Sequence, residues 1–296
     1  MPRELRINQR SELHTIDVET GACTLVFSSP DLLIEAPNWT HDGQWLIVNG
    51  AGGLFRIRAT GGDPIPVDLG GIPPINNDHV LSPDGSTAYV SSEDGHLYAV
   101  ALTGGHPRRV SNDHDAFTYY LHGVSPDGAT LAYIGMDKLS DGGLRTNVYV
   151  IPSVGGQDEQ LTDDESPDDG SEFSPDGRWI YFNSERASEL AGHAQLFRIS
   201  TEDRHVEQLT FDERVNWFPH ISPTGKTIAY VSFPPGTTGH PPDVDVIIRL
   251  LDLDENDQPL GVPRDLIGAF GGQGTMNVPS WDPDGRRIAF VTYPLS

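Results

Sequence analysis

The chain has 296 residues, 36% of them hydrophobic, and its 19 Lys and Arg against 43 Asp and Glu give a formal net charge of −24. So acidic a protein repels the phosphate backbone of nucleic acids and anionic membranes, and we expect neither as a partner. No apolar run approaches the roughly 18 residues that a membrane-spanning helix needs, and a single cysteine, Cys23, excludes an internal disulfide.

No signal peptide is visible at the N-terminus, because residues 1–8 carry charges and no apolar segment follows them. We therefore predict a cytoplasmic protein, or a periplasmic one if a leader has been removed. Short strand-like segments follow at 12–17 and 23–27, with a turn at 19–21 between them.

The next segment shows the unit from which the rest of the chain is built. Between Gly-containing turns lie four strand-like stretches, at 36–39, 44–48, 54–58 and 65–69. Four strands within about 40 residues are typical of one propeller blade.

A tight turn of the form Ser-Pro-Asp-Gly recurs along the chain. The clearest copy ends at Gly177, and related copies end at Gly43, Gly85, Gly128, Gly225 and Gly285. Glycine adopts positive φ without a Cβ clash and aspartate tolerates it, so each turn can join two antiparallel strands. The spacing between these glycines ranges from 42 to 60 residues, and a repeat of this length with four strands per unit indicates a β-propeller.

The two ends of the chain complete one another. Residues 277–293 supply only a first and a second strand, whereas residues 12–27 supply a third and a fourth. Pairing these two parts leaves no free sheet edge. We therefore predict an all-β protein in which residues 1–296 form a single domain, a six-bladed β-propeller of four-stranded antiparallel blades, and we expect a monomer.

Two insertions interrupt the repeat. Residues 187–193 lengthen the link between the second and third strands of the fourth blade, and residues 234–242 do the same in the fifth. Loops that are longer than a fold requires often carry binding sites, although extra length is also tolerated at little cost.

The fourth unit carries a family resemblance. Its sequence FSPDGRWIYFNSER at 173–186, followed by QLFRIS at 195–200 and EQLT, resembles the WD40-like repeats of the TolB β-propeller family. Glu185 stands where that family usually has Asp, and seven extra residues precede Gln195. The resemblance extends from about residue 4 to residue 293 and implies the propeller fold. The same propeller also forms oligogalacturonate lyases, in which histidines and a glutamine hold manganese at the channel mouth.

Candidate functional residues come from the first strand of each blade, because this strand borders the central channel of a propeller. We predict a binding site on the channel face, formed by Asn38, Asp78, His79, Tyr120, His122, Asp169, Glu172, Asn216, Trp217, His220 and Asn277. Three of its imidazoles, together with nearby carboxylates, could bind a divalent cation or act as acid and base: His79, His122 and His220. The alternative is a water-filled polar channel without a metal, and we predict no other cofactor.

Two functions from different classes are consistent with these residues. The first is a non-catalytic scaffold that binds a protein or peptide through its channel-face loops. The second is an enzyme, a metal-assisted lyase or hydrolase that acts on a carbohydrate at the channel mouth. We favour the binding module, because the sequence contains no nucleophile–base pair and no intact metal motif, and Met276-Asn277-Val278 stands where the lyases would need imidazoles.

Overall fold

The computed structural model describes residues 3–295, and within that range the chain forms 23 β-strands. The chain begins with β1 (Ser11–Asp17) and β2 (Cys23–Ser29). The first blade consists of β3 (Glu35–Trp39), β4 (Trp45–Gly50), β5 (Gly53–Arg58) and β6 (Ile65–Val67). The second consists of β7 (Ile75–Leu81), β8 (Thr87–Ser92), β9 (Leu97–Ala101) and β10 (Arg108–Arg109).

The third, fourth and fifth blades repeat this arrangement. The third contains β11 (Phe117–Val124), β12 (Thr130–Lys138), β13 (Leu144–Pro152) and β14 (Glu159–Gln160). The fourth contains β15 (Asp168–Phe173), β16 (Trp179–Ser184), β17 (Gln195–Ser200) and β18 (Val206–Gln208). The fifth contains β19 (Val215–Ile221), β20 (Thr227–Phe233), β21 (Pro242–Asp252) and β22 (Arg264–Gly272), and β23 (Arg287–Thr292) completes the fold.

Each of these five blades is a four-stranded sheet whose strands follow chain order, and neighbouring strands are antiparallel. The predicted six-bladed, all-β propeller is therefore confirmed. Between residues 3 and 295, no helix is long and apolar enough to cross a membrane.

The ring closes where the two ends of the chain meet. Strand β1 pairs with both β2 and β23, and Leu13 lies opposite Val291 while Ile16 lies opposite Ile288. The N-terminal strands therefore complete the C-terminal half-blade, as predicted.

The innermost strand of this sixth blade differs from the prediction, because the segment before β23 forms no continuous ladder. Val291 N donates to the Thr275 carbonyl at 3.0 Å and Ala289 N to the Ser280 carbonyl at 2.9 Å. Pro279 between them has no N–H to donate, and the segment occupies the position of a strand with only an isolated bridge at Trp281. The sixth sheet accordingly has three regular strands.

The repeated turn is held by its own side chains. Ser174 Oγ donates to Asp176 Oδ1 at 2.6 Å, and the same oxygen accepts the backbone N–H of Arg178 at 3.1 Å. Trp179 N then donates to Ser174 Oγ at 3.0 Å, and Gly177 has a φ of 72°. These local hydrogen bonds explain why serine, aspartate and glycine recur at the same spacing.

Neighbouring turns touch one another around the ring. A Cβ added to Gly128 would lie 3.3 Å from Cδ of Pro83 in the preceding blade, and one added to Gly43 would lie 3.8 Å from Cδ of Pro283 in the last blade. The exception is the junction between the fourth and fifth blades, where no described atom lies within 4 Å of a Cβ built on Gly225. A cavity of about 230 Å³ lies at this junction.

The hydrophobic core lies between neighbouring blades. One cluster joins Ile16 of β1 with Val231 of β20 and Ile288 of β23, so that three parts of the chain share one apolar layer. The aromatic residues that follow the turns are buried in this core: Tyr89, Tyr133, Tyr181, Tyr230 and Phe290. Burial of such rings supplies much of the free energy that holds the blades together.

Ring closure can be tested at Leu13, whose side chain is fully buried in β1. We expect Leu13→Ala to lower the free energy of unfolding by about 3 kcal/mol, because a cavity would remain between the closing blade and the first blade. The matched control is Leu25→Ala on β2, where the leucine is 53% exposed. Urea denaturation measures the loss of unfolding free energy in each variant. Equal losses in the two variants would contradict this assignment.

Candidate functional site

A β-bulge interrupts the pairing of the inner strand in each of the first five blades. The register shifts between Ile75 and His79 in β7, between Leu121 and Gly123 in β11, and between Asp169 and Glu172 in β15. Strands β3 and β19 show equivalent shifts. A bulge places an extra residue on one strand and redirects the side chains next to it, so these shifts decide which residues face the channel.

A polar cavity of about 370 Å³ lies at the end of the channel where the inner strands begin. Five of the predicted residues line it: Asp78, Tyr120, His122, Asp169 and Asn277. Sequence reasoning missed five further polar residues as members of the site: Asn76, Asn77, Thr146, His240 and Gln273. The two asparagines directly precede Asp78, and His240 lies in the fifth-blade insertion, so local sequence carried a signal for them.

A charged cluster forms the base of this cavity. His122 Nε2 lies 3.0 Å from Asp169 Oδ1, and His240 Nε2 lies 3.5 Å from Asp169 Oδ2. The backbone N–H of Gly170 also donates to Asp169 Oδ1 at 2.8 Å. One carboxylate thus holds two imidazoles that come from different blades.

The protonation states of the cluster follow from burial and from these contacts. Burial favours neutral His122, but the carboxylates of Asp78 and Asp169 outweigh it and raise the His122 pKa to about 9. Burial also opposes the charged form of His240, yet the hydrogen bond to Asp169 raises that pKa too. Conversely, burial would raise the pKa of Asp169, but His122 and His240 hold it well below its usual range.

Asp78 is in a different position from Asp169. Burial raises its pKa to about 6, although the charge of His122 acts in the opposite direction. Its Oδ2 accepts one hydrogen bond, from Asn76 Nδ2 at 2.8 Å. The negative charge of Asp169 is therefore balanced by two imidazoles, whereas the negative charge of Asp78 is balanced only in part.

The fifth-blade insertion brings His240 to the site. The imidazole lies edge-on to Trp217, with ring centroids 4.5 Å apart, and edge-on to Phe218 at 5.1 Å. Phe218 occupies the bulge of β19 with a φ of 56°, a left-handed conformation that costs a bulky residue free energy. Its N–H donates to Asn183 Oδ1 at 3.0 Å, which helps to hold that conformation.

Two polar groups that line the cavity have no partner within residues 3–295. The Tyr120 hydroxyl and the side-chain amide of Asn77 make no hydrogen bond to the described protein. Tyr120 is partly exposed, and burial together with Asp78 and Asp169 raises its pKa, so the hydroxyl is neutral and can both donate and accept.

The other predicted residues lie elsewhere. His79 Nδ1 lies 3.2 Å from the Asn77 carbonyl and Nε2 lies 3.3 Å from the Ile47 carbonyl, and burial lowers the His79 pKa to about 4. His220 Nδ1 lies 2.6 Å from Glu172 Oε2, and its Nε2 lies 3.1 Å from the Met276 carbonyl. Both rings are buried among these partners.

The structure therefore does not bring the three predicted imidazoles together. Only His122 lines the polar cavity, whereas His79 and His220 do not. In the described part of the chain, no group of three or more His, Cys, Asp or Glu side chains is arranged to hold a metal ion. His79, His122 and His220 therefore do not form the manganese centre that the lyase resemblance implies.

The remaining predicted residues have structural surroundings. Asn216 Oδ1 accepts the Ser232 hydroxyl at 2.7 Å, and its Nδ2 donates to Asp212 Oδ1 at 3.2 Å. Trp217 is buried in the core cluster of the fifth and sixth blades. Asn38 and Glu172 line a separate cavity at the opposite end of the channel.

These observations define a class of protein: the closed six-bladed propeller with a polar cavity at one mouth of its channel. A family model described as TolB beta propeller domain matches residues 125–240. A curated relative from Agrobacterium fabrum, Uncharacterized protein Atu1656, is 38% identical over 97% of this chain and 93% of its own length. A solved structure of a candidate TolB from Agrobacterium tumefaciens is 38% identical with a TM-score of 0.86, over 97% of this chain and 99% of that chain. The chain belongs to the TolB β-propeller family.

An oligogalacturonate lyase from Vibrio parahaemolyticus also has a similar structure. The TM-score is 0.61, and the match covers 93% of this chain and 76% of the lyase. The identity is only 15%, so this likeness shows the fold alone.

The charged cluster makes a prediction about pH. The folded-state pKa of His122, about 9, lies above its ordinary value of 6.5. Its contribution to stability is therefore fully present below about pH 6.5 and is lost as the pH rises through about 9. We expect the difference in unfolding free energy between the wild type and His122→Gln to shrink by about 3 kcal/mol across that window.

Urea denaturation at a series of pH values measures this difference, and NMR titration of the ring protons reports the His122 pKa directly. The control is His106→Gln on an exposed turn, for which the difference should not vary with pH. A His122 midpoint below pH 7 would show that the two carboxylates do not act on it as described.

Proposed function

We propose that this protein is a non-catalytic binding module that holds a peptide segment of a partner protein in the polar channel-mouth cavity. The observation that carries the proposal is the set of polar groups that the protein leaves available there, Asn77, Asp78 and Tyr120. A peptide backbone presents alternating N–H donors and C=O acceptors, which an amide, a carboxylate and a hydroxyl can bind.

The cavity has the size and rigidity that such binding requires. A volume of about 370 Å³ falls within the range of small-ligand pockets and suits a short segment. Its polar groups stand on inner strands that are hydrogen-bonded into the blades, and His122 and Asp169 are already held by each other. Little conformational entropy is therefore lost when a ligand enters, which favours affinity.

The enzyme alternative has less support from the described residues. A metal-assisted lyase or hydrolase needs ligands that converge on an ion, and no such group occurs between residues 3 and 295. The binding module therefore accounts for more of the observed geometry. In its test, binding of a carbohydrate instead of a peptide would contradict the proposal.

Peptides selected from a random display library against the immobilised propeller provide the test. We expect Asp78→Asn to weaken the binding of selected peptides by roughly 10-fold to 100-fold, because a hydrogen bond to a charged group is lost. Tyr120→Phe removes a hydroxyl without changing any charge, and we expect it to weaken binding as well. Isothermal titration calorimetry measures both affinities.

The matched control is Asp63→Asn, which neutralises an exposed aspartate in the loop between β5 and β6 that lines neither channel cavity. It should leave the affinity unchanged, and thermal unfolding should show that all three variants are folded. The proposal is wrong if no peptide is selected, if selected peptides bind both site variants as tightly as the wild type, or if the cavity binds neutral oligosaccharides instead.

A further inference from the structure

A second cavity, of about 240 Å³, lies at the other end of the channel, where the six turns converge. Asp169 lines the first cavity and Phe173 lines the second, and their separation of four positions along β15 corresponds to roughly 13 Å. One position of the repeat, two residues before each turn glycine, surrounds the second cavity. It is occupied by His41, Pro83, Pro126, Pro175, Pro223 and Pro283.

The wall of this cavity is mainly apolar and stiff. The prolines have a fixed φ, and the turns on which they stand pack against one another except at Gly225. Leu81 and Ile221 of the inner strands and the ring of Trp281 extend the apolar wall inward. A rigid apolar cavity of this size can accept one large apolar side chain.

Ionised carboxylates surround the same mouth. The residue after each proline or histidine is an aspartate in five of the six turns: Asp42, Asp84, Asp127, Asp176 and Asp284. Hydrogen bonds from Ser82 and from the Ser86 N–H and hydroxyl lower the pKa of Asp84 to about 2, and the pKa values of Asp42 and Asp127 are lowered by similar contacts.

Most of this negative charge is uncompensated. Asp176 pairs with Arg178, whereas the other four aspartates form no ion pair within residues 3–295. The nearby basic residues already have partners, since Lys226 pairs with Asp257 and Arg286 pairs with Asp17. An apolar cavity ringed by unpaired carboxylates complements a ligand that is apolar at its centre and positive around it.

A buried donor provides a second, independent observation. Trp39 contributes to the wall of this cavity and is 3% exposed, yet its indole N–H has no hydrogen-bond partner among the described residues. Trp281 occupies the same position of the repeat, and its indole N–H donates to the His220 carbonyl at 2.8 Å. A buried donor without an acceptor is costly.

We infer that the turn-face cavity binds a basic segment of a partner protein, which inserts one apolar side chain between the prolines while its lysines or arginines face the ring of aspartates. This site is separate from the polar cavity at the opposite mouth, so one propeller can hold two different segments.

Three synthetic peptides test the inference: a leucine flanked by lysines and arginines, the same peptide with serine in place of the leucine, and the leucine flanked by glutamates. We expect the first to bind, the second to bind at least about tenfold more weakly because the buried apolar area is lost, and the third not to bind. Fluorescence anisotropy at low ionic strength measures all three affinities.

Two variants separate the charge from the cavity. In D42N/D84N/D127N/D284N the asparagines at 42, 84 and 127 keep the oxygen that closes their turns, and position 284 closes none. We expect the leucine peptide to bind this variant about tenfold more weakly. The difference should disappear at about 0.5 M salt. Val124→Phe introduces the residue that the fourth blade has at the same position, Phe173, and should abolish the preference for leucine over serine by filling the cavity.

The matched control is D31N/D115N/D141N/D245N, which removes the same number of exposed carboxylates outside the turns and should bind like the wild type. Thermal unfolding verifies that each variant is folded. The inference is overturned if the leucine peptide does not bind, if leucine and serine peptides bind equally to the wild type, or if both quadruple variants behave alike. None of these variants touches Asp78 or Tyr120, so this result is distinct from the test of the polar cavity.

Discussion

The pairing of β1 with β23 is the contact on which the rest of this molecule depends. Five blades are continuous in sequence, but the sixth exists only because residues 11–17 lie between two strands that are far apart in the chain. When this pairing forms, every blade has two neighbours, and no sheet face between blades is left in water. Both channel cavities require this closure, since each is lined by residues from blades on both sides of the seam.

Within the closed ring, the bulges of the inner strands determine the chemistry of the channel. A regular strand would place alternate residues on the channel side from one end to the other. The bulges in β7, β11 and β15 instead bring Asp78, His122 and Asp169 to one mouth. A half-buried carboxylate, the buried imidazole of His122 and the half-buried imidazole of His240 are unfavourable separately, and the structure offsets this cost by holding both imidazoles within 3.5 Å of the carboxylate.

Much of the architecture could be predicted from the sequence because its causes are local. The Ser174–Asp176 hydrogen bond and the positive φ of Gly177 lie within four consecutive residues, so the turn can be recognised wherever it recurs. The functional site depends on longer-range events. His79 and Asp78 are adjacent in sequence, yet the bulge sends only Asp78 to the polar cavity. His240 reaches Asp169 from an insertion that no periodicity describes. The irregular inner segment of the sixth blade results from Pro279, whose effect on the ladder appears only when its partner strand is known.

The missing contact at Gly225 makes one junction between neighbouring turns different from the other five. Five of the six junctions between turns are closed by a proline or histidine side chain against a glycine, and the junction between the fourth and fifth blades contains solvent-sized space instead. This junction therefore lacks the van der Waals contact that packs the other turns together. The two insertions also belong to these two blades, and they meet where Gly192 lies against Thr238 at the opposite face. At the turn face the same two blades are joined by polar contacts, because Arg178 Nη2 lies 2.7 Å from Asp257 Oδ2 and Arg198 Nη1 donates to the Asp257 carbonyl at 2.6 Å. Their junction therefore depends on charge at the face where the other junctions depend on packing.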